Sequence, residues 1–309
     1  MMEVMNSRRE FFQRLGAAAI ATAAGRSATA APVTGLPGVR FGYAAMTWGA
    51  AEKQAIEDIS ACGYEGIQFR IEATTEFKPA ELKDILAKHK LTFVALSSGD
   101  VTIDPASEAE MMAKHVANAK FLRDAGGLYL QVLDQLKPYP RTVTEDECKR
   151  LGKVLTELGK RSADLGIPLV YHNHMNTISE KPGNLDIVLA SSDPKYVKLL
   201  LDTAHMVAGG GNPAIAIQKY HDRLLYVHLK DVVNIPMSTP GAKYPFQWVE
   251  LGRGRVDMAS VFAALQRVNY RGWAVVELDR VPDKSKTPKE GAMISRKFLE
   301  DKMGVKFRA

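Results

Sequence analysis

From about residue 40 onward, short apolar runs alternate with longer amphipathic ones, the pattern of repeated strand–helix units and a parallel sheet. Eight runs read as strands: 41–45, 66–69, 92–96, 128–132, 169–171, 199–201, 225–227 and 274–276. The helical stretches between them carry start and stop signals. Ser107 with Glu110 forms a capping box ahead of a helix at 109–125 that Gly126 ends, and Thr144 with Glu147 does the same for 145–165, which ends at Gly166. Asn212-Pro213 opens 213–220, and Asp257 caps 258–268. Thr287, Pro288 and Glu290 open a last helix that stops at Gly304. Eight strands, each with a following helix, predict an α/β fold of the (β/α)8 TIM barrel type over 40–309. A doubly wound open sheet is the alternative. A nucleotide-binding one needs a glycine-rich turn after its first strand, where this chain has Met46-Thr47-Trp48-Gly49. Gly209-Gly210-Gly211 lacks the lysine and strand-to-helix context of a phosphate loop and reads as a flexible loop at the barrel mouth.

Composition adds little to this and excludes some partners. The 309 residues are 46% hydrophobic and 25% charged, ordinary for a globular protein, with a formal net charge of +6. So small and dispersed an excess does not argue for nucleic acid. Cys62 and Cys148 read as half-buried thiols, although a disulfide between them is open on sequence alone. The N-terminus reads as an address. Ser7-Arg8-Arg9-Glu10-Phe11-Phe12, an alanine-rich run at 15–24 and Ala28-Thr29-Ala30 resemble a twin-arginine (Tat) export signal with a cleavage site. The expectation is a signal peptide at 1–30, a linker at 31–39, the Tat export machinery as a partner, and a periplasmic or secreted location with no membrane attachment after cleavage.

The candidate chemistry sits where the apolar runs end. In an α/β barrel the C-terminal ends of the strands line the active-site mouth. The runs end in Met46-Thr47-Trp48; in Gln68 and Arg70; in Ser97 and Ser98; in Gln131 and Asp134; in His172, Asn173 and His174; in Asp202 and His205; in His228, Lys230 and Asp231; and in Glu277 and Asp279. Four of the seven histidines fall at the ends of strands five to seven. Imidazoles and carboxylates together suit one divalent metal ion of the Mn²⁺, Co²⁺, Fe²⁺ or Zn²⁺ kind. The absence of cysteine ligands argues against a structural zinc site. A mononuclear site with open positions suits two adjacent substrate oxygens and an enediolate, the species formed by proton transfer next to a carbonyl.

The segments GYEGIQ, LVYHNHM, LLLDTAHM, YVHLKDV, ELGRGRVD and WAVVELD, in this order, resemble the sugar phosphate isomerase/epimerase family, the xylose isomerase-like TIM barrels. The inosose dehydratases are among its closer-looking members. The resemblance covers about residues 40–280. It implies a metal held by a glutamate after strand five, an aspartate after strand six, a histidine after strand seven and a glutamate after strand eight. Here those positions are His172, Asp202, His228 and Glu277. The histidine at the strand-five position departs from the family pattern and weakens a two-glutamate epimerase mechanism. On the same basis Glu277, His172, His174 and Lys230 are the catalytic candidates, and His205, Trp48, Gln68, Arg70 and Arg253 the substrate-binding ones. Trp248 and Arg255 stand beside them as further candidates for a sugar ring and an anionic group.

The resulting expectation is a metal-dependent isomerase or epimerase that abstracts a proton next to the carbonyl of a small sugar-like substrate. A metal-dependent lyase or dehydratase on a keto-sugar, keto-glycoside or inosose is the alternative, and a non-catalytic carbohydrate-binding barrel a further one. A multi-zinc nuclease of the same fold would need histidines after strands two and three, where Gln68, Ser97 and Ser98 stand. Self-association into a homo-oligomer is left open.

Overall fold

Alternation along each strand decides which side chains enter the barrel. The computed structural model describes residues 35–135 and 142–308, all within the unit Pro32–Ala309. The expected signal peptide lies outside the described residues. Of the expected linker, residues 35–39 are described and are tied to the barrel: Leu36 is buried, and the Gly35 amide donates to the Met303 carbonyl at 3.1 Å.

The strands are β1 (Val39–Ala44), β2 (Gly66–Arg70), β3 (Thr92–Val101), β4 (Tyr129–Asp134), β5 (Leu169–His172), β6 (Val197–Asp202), β7 (Leu224–Leu229), β8 (Asp231–Asn234), β9 (Phe246–Val249) and β10 (Gly272–Val276). Parallel pairing runs β1-β10-β7-β6-β5-β4-β3-β2 and closes on itself, so the fold is a TIM barrel. Each of the eight expected strands is present. β8 and β9 form an antiparallel hairpin outside the barrel, which the apolar pattern did not indicate.

The helices are α1 (Glu52–Ala61), α2 (Ala73–Glu76), α3 (Pro79–Lys88), α4 (Glu108–Asp124), α5 (Glu145–Asp164), α6 (Pro182–Ala190), α7 (Thr203–Ala208), α8 (Pro213–Lys219), α9 (Met258–Arg267) and α10 (Pro288–Met303). The capping boxes of α5 and α10 form as expected, and Asn212 and Asp257 cap α8 and α9. The box expected at Ser107 does not form. Ser107 has helical dihedrals, and its hydroxyl donates to Asp104 instead. Gly304 ends α10 with φ 65°, the left-handed conformation that favours glycine. The ends of the glycine run are packed, since a Cβ on Gly209 would lie 2.1 Å from the Glu180 carbonyl oxygen and one on Gly211 2.3 Å from the Met206 sulfur, while Gly210 between them faces open space at φ 89°. Cys62 and Cys148 are fully buried free thiols.

Two apolar layers follow from the alternation. Tyr171, Leu199, Leu201, Val227, Ala274 and Val276 belong to the large core between strands and helices. Their neighbours Val170, Leu200, Tyr226, Trp273 and Val275 fill the barrel interior. Trp273 takes so much of that space that a Cβ on Gly66 would lie 2.5 Å from its ring. One step further along the inward-facing rows come His172, Asp202, His228 and Glu277, all buried. The last inward layer is therefore polar, and it sits at the C-terminal mouth.

A second polar cluster braces β3. The Ser98 hydroxyl lies 2.6 Å from His115 Nδ1, His115 Nε2 lies 3.1 Å from the Asp100 carbonyl oxygen, and Asn118 donates to Ser98 at 2.8 Å. A carbonyl only accepts, so His115 carries its proton on Nε2 and receives the serine proton's hydrogen bond on Nδ1. Both Ser98 and His115 are completely buried. The pair holds the irregular pairing of β3 with β4 between Ser97 and Asp100 and has no access to a substrate. Burial lowers the His115 pKa from 6.5 to about 4. The folded protein therefore binds fewer protons than the unfolded chain between these values, and stability falls as pH drops through them. At about 1.4 kcal/mol per unit this amounts to about 3 kcal/mol. Urea unfolding of His115→Gln between pH 7 and pH 4 should show that much less acid sensitivity than wild type, on top of a uniform loss from the broken hydrogen bonds. An unchanged pH slope would contradict this role.

Candidate metal centre

Asp202 closes β6 and starts α7, and its two carboxylate oxygens are divided between those tasks. Oδ1 caps the helix by accepting the His205 amide at 2.8 Å. Oδ2 is buried and has no hydrogen-bond partner. The backbone is fixed in turn by Asn173, whose side-chain oxygen accepts the Asp202 amide at 2.9 Å.

His228 repeats the arrangement from β7. Its Nε2 lies 2.9 Å from Gln68 Oε1, which also accepts the Tyr226 hydroxyl at 3.0 Å. With the amide oxygen as acceptor, Nε2 carries the proton and Nδ1 presents a lone pair. That Nδ1 is buried without a hydrogen bond, 3.5 Å from Asp202 Oδ2 and 3.3 Å from Glu277 Oε2. His172 Nδ1 is likewise buried and unpartnered. The four residues offer ligand atoms that all lie within 4.8 Å of one another. Electron-rich atoms at these distances, shielded from water, require a positive charge between them. Two imidazoles and two carboxylates are a donor set that fits one divalent ion.

His172, His174 and His205 form a second cluster of the same compactness, and it does not fit an ion as well. It contains no carboxylate, and the Lys230 ammonium lies 3.3 Å from His205 Nε2. In His174 and His205 one ring nitrogen is already engaged. His174 Nδ1 lies 2.7 Å from the Met175 carbonyl, so it is the protonated nitrogen and Nε2 presents a lone pair. His205 Nδ1 accepts the Met175 amide at 3.1 Å, so Nε2 is a donor. The two rings face each other at 3.8 Å. Burial pushes the pKa of His174 down and those of His172 and His205 well down, with the neighbouring cationic groups adding to it. One ring therefore offers a base and its neighbour a hydrogen-bond donor.

Lys230 completes the charge pattern. Its ammonium donates to Glu277 Oε1 at 2.9 Å and to Asp279 Oδ1 at 2.5 Å, and it lies 4.7 Å from the centre of the Trp248 ring. Burial opposes the charge, but Asp279, Glu277 and Asp202 outweigh burial and raise the pKa above its ordinary value. Lys230 is thus held as a cation and is not a base. Asp279 is held below the usual carboxylate range in spite of its burial, chiefly by Lys230.

The other expected binding residues divide into two groups. Gln68, Arg70, Gln131, His172, His174 and Glu277 line a cavity of about 70 Å³ at the mouth. Gln68 reaches it while orienting His228, and Arg70 is tied to the Gly49 carbonyl and Glu72. Trp48 is packed edge-on against Tyr43 and donates to Asp58 at 2.9 Å, so it serves the core. Trp248 is the tryptophan at the site, 4.6 Å from the His205 ring. Arg253 is half exposed and pairs with Glu250 at 3.5 Å; it does not line the cavity. Asp279, which the sequence places at the end of the eighth strand without a catalytic or binding role, stands two residues beyond Glu277 and holds Lys230.

Comparison with known proteins agrees with this architecture. Residues 56–302 match the model of the xylose isomerase-like TIM barrel family. The chain belongs to that family. It is 29% identical over 277 residues to an inosose dehydratase of Lacticaseibacillus casei, covering 82% of this chain and 90% of the relative. It is 32% identical over 216 residues to an inosose dehydratase of Bacillus cereus (strain AH820), covering 63% of this chain and 72% of the relative. Among solved structures, the IolI protein with a bound zinc atom superposes with a TM-score of 0.72 at 19% identity over 86% of this chain and 98% of that one. The family assignment agrees with the expected resemblance.

The ligand geometry predicts one divalent ion per chain. Metal analysis after EDTA treatment and reloading should give a stoichiometry near one, lost in His228→Ala. Gln68→Ala removes the group that fixes the His228 tautomer. It should weaken the ion by about 10- to 100-fold, the usual cost of losing such a partner, in calorimetric titration of the stripped protein. Unaltered affinity in Gln68→Ala would show that the tautomer is set by something else.

Proposed function

We propose that the protein is a divalent-metal lyase that removes a proton next to the carbonyl of a cyclic keto-sugar and expels a β-oxygen substituent. The observation that carries this reading is the pairing of an unprotonated His174 Nε2 with two converging donors, His205 Nε2–H and the Lys230 ammonium, beside a fitting ion site. When bound, the ion supplies Lewis acidity toward a carbonyl oxygen.

The side chains supply the rest. His174 accepts the carbon-bound proton on Nε2, while its Nδ1–H stays on the Met175 carbonyl and keeps the ring oriented. Lys230 Nζ and His205 Nε2 lie 3.3 Å apart, and both are donors. An oxygen of the substrate placed against them receives both hydrogen bonds. Two of the Lys230 protons are committed to Glu277 and Asp279, which leaves the third for that oxygen. Fixed donors in a water-poor site stabilise charge as it develops, without reorganising. His172 belongs to the ion's donor set, so the paired acid–base glutamates of a two-glutamate epimerase have no counterpart at strand five.

The inosose dehydratase relatives support elimination. Isomerisation or epimerisation through the same proton abstraction is the second reading. It is favoured by the fold shared with a D-allulose 3-epimerase from Methylomonas sp., at a TM-score of 0.68 and 22% identity. The donor set accommodates Mn²⁺, Co²⁺, Fe²⁺ or Zn²⁺. The twin-arginine leader and its small-residue site support export, and with it a periplasmic or secreted enzyme.

A metal-replete reaction with inososes and keto-glycosides, followed by NMR in D₂O, tests the reading. Elimination should yield an unsaturated ketone, and epimerisation a deuterated diastereomer. His174→Gln should keep its metal and lose about 10²- to 10⁴-fold in turnover. Full activity in that variant, or no deuterium exchange with any keto-sugar, would remove His174 as the base.

A further inference from the structure

The β8–β9 hairpin carries an aromatic row that the chemistry above does not use. Tyr244, Phe246 and Trp248 stand at alternate positions, which places them on one face of the strand and its lead-in. Tyr244 stacks on Phe246 with ring centres 5.3 Å apart and an interplanar angle of 8°, and Phe246 meets Trp248 at 4.8 Å. Trp248 in turn lies 4.6 Å from His205. The row thus begins at a donor of the proposed site and runs outward. Along it lies a cleft of about 470 Å³, whose facing wall is formed by Asp279, Arg280, Val281 and Pro282.

Core packing accounts for Trp248, which covers Lys230 and His205. It does not account for Tyr244, which is 37% exposed and yet stacked at the outer end. The cleft is continuous with the proposed reaction centre through Trp248 and Asp279, the same two residues that contact Lys230. Three aromatic faces in succession offer more flat apolar surface than one six-membered ring can cover. Flat faces with polar groups at one end are the chemistry that holds ring-shaped ligands.

We propose that this cleft is a second subsite, and that the substrate is a keto-glycoside whose aglycone is a second ring lying on Phe246 and Tyr244. The assignment rests on the keto-sugar reading above and adds to it the substituent expelled. As His174 takes the carbon-bound proton, that C–H electron pair becomes the C=C bond and the C–O bond to the aglycone breaks. The expelled oxygen takes the proton from His174 and departs as a ring alcohol rather than water.

The test compares phenyl and methyl glycosides of one keto-sugar, which differ only in the second ring. In wild type, kcat/KM should favour the phenyl compound by about tenfold or more. The Tyr244→Ala/Phe246→Ala double variant should bring that ratio to near one while retaining metal and melting temperature. A ratio near one in wild type, or one untouched by the double variant, overturns the subsite. A second measurement is independent of turnover. Saturation-transfer NMR with unoxidised phenyl β-glucoside should show contact at the phenyl protons in wild type and lose it in the double variant. Absence of that contact in wild type overturns the subsite even if the enzyme acts on keto-sugars. Its presence in a protein that turns over no keto-sugar supports the cleft and rejects the proposed reaction instead.

Discussion

Three buried atoms that all offer lone pairs converge on one point at the barrel mouth, and the surrounding structure is arranged to keep them there. His172 Nδ1, Asp202 Oδ2 and His228 Nδ1 have no hydrogen-bond donor of their own, and Glu277 Oε2 lies 3.3 Å from the last of them. Buried polar atoms are ordinarily paired, because an unpaired one forfeits its hydration without return. Here three of the four ligand residues do have a partner, on the atom facing away from the centre. Gln68 accepts from His228 Nε2–H, Asp202 Oδ1 accepts from the His205 amide, and Glu277 Oε1 accepts from the Lys230 ammonium. The unpaired side is therefore one direction shared by several residues. With Asp202, Glu277 and Asp279 against Lys230, the formal charge of the cluster is −2 when the histidines are neutral. A divalent ion brings it to zero and so removes the net negative charge that would oppose an oxygen gaining electron density during proton abstraction.

Much of this was legible in the chain because a strand has a period of two. Once a run such as Leu199 to Asp202 is read as a parallel barrel strand, the parity of its residues fixes which ones face inward. The polar residue at the C-terminal end of each inward row must then lie at the mouth. Asp202, His228 and Glu277 follow from that rule without any contact information. His172 stands at the end of the fifth row by the same rule, the resemblance to a metalloenzyme family marked that position as a ligand position that usually holds glutamate, and the structure places His172 beside the other three.

What the chain did not disclose depends on contacts between distant residues or on the direction of single hydrogen bonds. The β8–β9 hairpin has only four residues per strand, in a stretch with no long apolar run. Trp48 and Trp248 both look like ring-stacking residues in sequence. They are separated by Asp58, which captures the Trp48 indole, and by the hairpin, which delivers Trp248 to His205. His115 on α4 is the inner brace of β3 through Ser98, which lies 17 residues away on a strand, and no local pattern announces such a pairing. The opposite proton placements on His174 and His205 are set by the carbonyl and the amide of one residue, Met175. No residue pattern encodes that choice.

Lys230 and Asp231 show how the fold links the reaction centre to the cleft beside it. They are adjacent, and consecutive side chains at a strand end point to opposite sides. Lys230 turns inward to Glu277 and Asp279. Asp231 turns the other way and accepts the amides of Val232, Gly252, Gly254 and Val256 at 2.9–3.0 Å. That carboxylate is the hub of the ELGRGRVD segment, and a Cβ on Gly254 would lie 2.1 Å from its Oδ1. Gly254 is accordingly a packing requirement of Asp231, Gly252 is required by the Phe298 ring and its φ of 79°, and Arg253 and Arg255 beside them are exposed. The segment follows directly from β9, whose Val249 pairs with Asp231. One dipeptide therefore sets both the position of the buried cation and the register of the hairpin that carries Trp248, Phe246 and Tyr244. A shift of that hairpin by one residue would turn the aromatic row away from the cleft, and the four amide hydrogen bonds to Asp231 oppose such a shift.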